Sequence, residues 1–95
     1  FEARAQIALD TRRSASAKLA TLLLALARAA SHSPCHPADA FDLPLTRGEM
    51  AALLGLTIET VSRQLGALED EAIIRREGAR GIRIEDAARL EALAQ

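Results

Sequence analysis

Residues 42–68 read DLPLTRGEMAALLGLTIETVSRQLGAL. Thr46 and Glu49 stand at capping-box spacing, in which the threonine oxygen accepts from the N3 amide and the glutamate reaches back to the N-cap amide. A helix is expected to start there and to carry Met50, Ala51, Leu53 and Leu54 inward. Gly55 ends it, because glycine enters the left-handed conformation of a sharp turn without a Cβ penalty. Thr57 then caps a second helix, expected over about 57–71, whose Val61, Leu65 and Leu68 recur on one face. Two short helices joined by a glycine turn make a helix-turn-helix.

The flanks extend this unit. Downstream, Ile73 and Ile74 face Ile82 and Ile84 across Gly78-Ala79-Arg80-Gly81, and two short β-branched runs around a glycine-rich turn predict a hairpin. Asp86 to Leu93 reads as a short closing helix. Upstream, Ser14 is an expected N-cap for a helix with an apolar stripe of Leu19, Leu22, Leu23 and Leu26, ending near Ser31. Ser31 to Asp39 (SHSPCHPAD) is turn-forming, and Phe41 to Leu45 predicts a short edge strand or connector around Pro44. The fold class that results is mainly α with a small β-hairpin wing, a winged helix-turn-helix over 14–95. In residues 1–13, Phe1, Ala5, Ala8 and Leu9 share one helical stripe with no evident partner inside the domain. That stripe reads as the tail of a longer helix and suits a second subunit. A chain that opens on Phe1 and not on Met is expected to be a fragment whose missing part lies upstream.

Composition narrows the function. The 95 residues carry 12 Lys+Arg against 13 Asp+Glu, a formal net charge of -1, which argues against indiscriminate coating of nucleic acid. Phe1 and Phe41 are the only aromatic residues, too few for base-stacking platforms on single strands. Duplex DNA stays open. A lone cysteine makes no internal disulfide, and the longest apolar run, Leu19 to Ala27 broken by Thr21, is far short of a membrane span. The expected location is the cytoplasm.

On the second helix, 100° per residue puts Glu59, Ser62, Arg63 and Gly66 opposite the Val61, Leu65 and Leu68 stripe. Arginine suits guanine O6/N7, glutamate accepts from cytosine N4, and a serine hydroxyl serves several bases. Periodicity does not choose between base reading and an ordinary Glu59–Arg63 ion pair at i, i+4 on a solvated face.

The same stretch resembles the C-terminal DNA-binding domain of the Crp/Fnr superfamily, and its Fnr and FixK branches in particular. Likeness is concentrated in LTRGEMA and LLGLTIETVSRQL and extends along the whole chain, which implies that 1–13 is the end of a dimerisation helix and a hinge, that the DNA-binding domain starts at Ser14, and that Ile73 to Ile84 is the wing. The family's E-x-x-S-R motif is matched by Glu59, Ser62 and Arg63. The resemblance implies that these three read a TTGAT-like half-site in the major groove, with a dyad-related partner reading ATCAA. Crp has a further arginine where this chain has Ile58, a departure that favours Fnr/FixK specificity. A bacterial transcription regulator acting on double-stranded DNA as a homodimer is therefore implied. Its effector would be sensed by an upstream domain and cannot be read here. Iron-sulfur oxygen sensing needs cysteines that this stretch lacks. The rival reading, a winged-helix protein-interaction module without specific DNA binding, predicts the same fold.

Thr46, Arg47, Thr57 and Thr60 are candidates for phosphate contacts that set orientation, with helix capping alone as the alternative for the threonines. Arg75, Arg76, Arg80 and Arg83 make the wing the most basic local region, so some are candidates for DNA-backbone contact while others lie on a solvated face. His32, Cys35 and His36, with Asp39, have metal-binding chemistry, but prolines interrupt them and the spacing fits no established pattern, so a polar loop is expected. In Crp-like activators the corresponding loop touches RNA polymerase, which makes residues 32–40 a candidate partner surface. No nucleophile–base–orienter set or phosphate loop is present in the pattern, so neither catalysis nor a cofactor is expected.

Overall fold

A computed structural model of the chain describes residues 14–31 and 39–94. The expected dimerisation segment 1–13, the His32–Cys35–His36 cluster and most of the 32–40 loop lie outside the described residues.

Helix α1 (Ala15–Ala30) begins where Ser14 Oγ accepts from the Ala17 amide at 3.0 Å. Its buried side is Ala17, Leu19, Ala20, Leu23, Leu24 and Ala27. The expected stripe is thus rotated, with Leu22 and Leu26 half-buried at its border. The helix packs on α3, α4 and β1, and Ala20 and Ala27, fully buried beside Leu19, Leu23 and Leu24, join the leucine row in the core.

Strand β1 (Ala40–Asp42) turns Phe41 inward. Helix α2 (Arg47–Leu54) carries the capping box, with Thr46 Oγ1 accepting from the Glu49 amide at 3.1 Å and Glu49 Oε1 accepting from the Thr46 amide at 2.8 Å. Gly55 closes it at φ 69°. Of the four residues expected to point inward, Met50 and Ala51 are buried and Leu54 is half-buried, but Leu53 is 64% exposed. The helix is only two turns long and is covered chiefly by α3, which leaves the Leu53 side open.

Helix α3 (Ile58–Asp70) has Thr57 as N-cap and Glu71 as C-cap, and buries Val61, Leu65 and Leu68. The chain leaves it through Ala72 at φ 59°, where the Ala72 amide donates to Glu69 O and the Ile73 amide to Leu68 O, both at 3.0 Å. This is a Schellman turn with alanine in the place glycine favours. Strands β2 (Ile74–Glu77) and β3 (Gly81–Ile84) pair antiparallel, Ile74 against Ile84 and Glu77 against Gly81. At Gly81 a Cβ would fall 2.3 Å from Glu77 O, so only glycine fits that close approach. β1 adds to the other side of β3, giving the order β1-β3-β2. Helix α4 (Ala87–Ala94) starts with Asp86 Oδ1 accepting from the Arg89 amide at 3.1 Å and packs on α1.

One core unites all of these elements through Leu19, Leu23, Phe41, Met50, Val61, Leu65, Leu68, Ile73, Ile74, Ile82 and Leu90. Among the described residues no polar or charged side chain is buried. No helix among them is long and apolar enough to cross a membrane.

Candidate nucleic-acid interface

The buried stripe of α3 fixes which side chains it offers outward. With Val61, Leu65 and Leu68 in the core, Glu59 and Arg63 are exposed, and Ser62 and Gly66 are half-buried. The i, i+4 ion pair between Glu59 and Arg63 does not form, and Arg63 has no acid within 4 Å among the described residues. The face therefore offers an unspent guanidinium, a carboxylate and a hydroxyl within two turns.

Ile58 stands at the head of the same helix. Periodicity puts it in line with Val61 and Leu65, yet it is 56% exposed. Its Cδ1 lies over Gly48, where an added Cβ would meet it at 3.6 Å. A bare β-branched residue beside Glu59 was visible in the sequence only as a difference from Crp.

The wing arginines divide into two groups. Arg76 is gripped by Glu69 at the end of α3: Glu69 Oε2 accepts from the Arg76 amide at 3.2 Å, and Oε1 accepts from Nε at 3.0 Å and lies 2.9 Å from the terminal nitrogen. The Arg76 amide, then its side chain, hold the Glu69 carboxyl below the usual carboxylate range. Arg83 pairs with Glu77 at 3.2 Å, and Arg75 lies 3.8 Å from Glu85. Glu71 holds Arg89 of α4 at 2.9 Å. Glu69 and Glu71, at the C-terminal end of α3, thus fasten the helix to the wing and to α4. Arg80, at the hairpin turn, and Arg47, in the first turn of α2, have no ion pair among the described residues.

Thr46 and Thr57 serve as caps. Thr57 Oγ1 accepts from the Thr60 amide at 3.1 Å and lies 2.8 Å from Thr60 Oγ1, while Thr46 Oγ1 serves the Glu49 amide. All three stand at helix N-termini, whose partial positive charge favours anions. Among the described residues no group of three His, Cys, Asp or Glu could hold a metal ion.

This arrangement has a known counterpart: the sequence profile of the Crp-like helix-turn-helix domain matches residues 17–93. The chain belongs to this family. The Crp-like domain is 45% identical over 91 residues to the transcriptional activator protein FnrL of Cereibacter sphaeroides, covering 93% of the chain and 37% of the relative. It is 42% identical over 93 residues to the nitrogen fixation regulation protein FixK of Bradyrhizobium diazoefficiens, covering 98% of the chain and 38% of the relative. The domain therefore spans less than two fifths of the length of these curated relatives, a transcriptional activator and a regulation protein. Among solved structures it matches FixK2 from Bradyrhizobium japonicum with a TM-score of 0.78 and 36% identity, over 88% of the chain and 40% of that structure. CooA from Carboxydothermus hydrogenoformans, a CO-dependent transcription factor, matches with a TM-score of 0.69 and 26% identity over 86% of the chain and 37% of that structure.

Proposed function

We propose that this Crp-like domain is the sequence-reading part of a Crp/Fnr-type transcription regulator and binds duplex DNA through the major groove with α3. The observation that carries the reading is the unpaired Arg63 on the outward face of α3, exposed beside Glu59 and Ser62 where no i, i+4 ion pair forms. Arg63 reads guanine, Glu59 accepts from cytosine, and Ser62 adds weaker discrimination. Ile58 supplies an apolar contact to a thymine methyl, the group an exposed aliphatic side chain recognises in that groove. Thr46, Arg47, Thr57, Thr60 and Arg80 meet phosphates and fix the docking angle. The half-site is TTGAT-like, and a dimer joined through residues 1–13 places two α3 helices one helical turn, about 34 Å, apart.

The test is fluorescence anisotropy of the chain on a duplex carrying TTGAT, about four spacer bases and ATCAA, against a scrambled duplex, over a salt series. A preference for the first duplex is expected, and Arg63→Ala should remove about 1–3 kcal/mol of it. Equal binding of both duplexes by the chain fused to a dimerising helix would overturn the base-reading roles and favour a protein partner.

A further inference from the structure

Pairing of the wing's positive charges is selective. Arg75, Arg76 and Arg83 each have an acid within 4 Å, whereas Arg80 at the tip has none. Arg47, in the first turn of α2, is likewise unpaired among the described residues. These two exposed arginines line one groove of about 210 Å³, whose remaining walls are Leu43, Leu45, Thr46 and Ala79. Backbone hydrogen bonding sets them there, because the Leu43 amide donates to Arg80 O at 2.8 Å and so fastens the segment entering α2 to the wing tip.

The groove also has a donor to spare. The capping box occupies the amides of Thr46 and Glu49, leaving the first-turn amide of Arg47, a residue that lines the groove, without an acceptor among the described residues. Glu49 does not neutralise the site. Its carboxylate is committed to the Thr46 amide, which holds its pKa down first, and the Arg80 charge acts on it only as the weakest cause. Two guanidinium groups on one groove repel each other unless an anion lies between them, and a tetrahedral phosphate offers each of them an oxygen.

Resting on the DNA-binding reading above, we propose that Arg47 and Arg80 close on one and the same backbone phosphodiester, seated in the groove between α2 and the wing tip. The helix-turn-helix and the wing then share a contact, and the position of that phosphate sets both against the duplex.

The experiment measures binding of the chain and of its Arg47→Ala, Arg80→Ala and double variants to the TTGAT duplex, with phosphates replaced one at a time by neutral methylphosphonates. Both side chains are exposed, so unchanged circular dichroism is the control for folding. One methylphosphonate position is expected to abolish the effect of both substitutions. The double variant should lower the slope of log K against log salt by about 0.9, not by the roughly 1.8 that two separate phosphates would give. Two different cancelling positions overturn the proposal, as does the absence of any. If Arg63→Ala still removes sequence preference in those cases, base reading by α3 stands and only the shared phosphate falls. If the chain binds no duplex at all, both readings fall together.

Discussion

Ala72→Gly should stabilise the domain. Ala72 sits at φ 59° in the Schellman turn that ends α3, and its side chain is exposed, so losing the methyl uncovers little apolar surface. A left-handed conformation costs an L-residue about 1–2 kcal/mol, which glycine avoids. Against this, glycine in place of alanine makes the unfolded chain more flexible, at about 0.4–1 kcal/mol. The difference is a net gain of about 0.5–1 kcal/mol, equivalent to a rise of about 2–8 °C in Tm for a domain of this size. Urea and thermal unfolding followed at 222 nm would measure it, and the two amide bonds of the turn give a local check. Protection of the Ile73 amide against hydrogen exchange, which its bond to Leu68 O provides, should rise in step with global stability. A neutral or destabilising Ala72→Gly would show that the left-handed geometry at the α3 terminus is not held at a cost, and the reasoning would fail.

The reverse exchange at the other turn should go the other way: at Gly55, φ 69° with nothing within 4 Å of a Cβ, Gly55→Ala loses about 1 kcal/mol through backbone strain alone in urea titrations. Leu65→Ala, in a side chain with no exposed surface at the centre of α3, should cost about 2–5 kcal/mol and abolish DNA binding at temperatures where the parent is folded. Acid should loosen the α2 cap and the hold of α3 on the wing. Glu49 and Glu69 both have folded pKa values below the ordinary 4.5, so the folded state binds fewer protons, the stabilisation is complete above that value, and it drains as pH falls below it through the depressed folded values. A Tm that is flat from about pH 7 to 5.5 and then falls, with a shallower fall in Glu69→Gln, is the expected profile; an unchanged slope in the variant would refute the assignment.

What the sequence disclosed was whatever depends on near neighbours. The capping box at Thr46 and Glu49, the left-handed Gly55, the Ser14 and Thr57 caps and the Val61, Leu65, Leu68 stripe all involve residues within a few positions of one another, and each formed as read. Leu53 was misjudged because a period of 3.6 says which residues share a face, not whether another element arrives to cover it. The hairpin was readable from its isoleucines, but the choice of β3 as partner for β1 depends on register between distant segments. Glu69 with Arg76, and Arg47 opposite Arg80, were out of reach for the same reason: each pair exists only after the α3 turn and the sheet have brought separate elements together. The outward placement of Glu59 and Arg63 followed from periodicity, whereas their failure to pair with each other needed coordinates.

The hydrogen bonds of β1 to β3 and of Leu43 to Arg80 make the approach to α2 and the tip of the hairpin one mechanical piece. Glu69 adds a second strut, from the far end of α3 to β2. Tilting either arm by itself would have to break these bonds, so they couple the hairpin to α3 and to the approach to α2 within the domain.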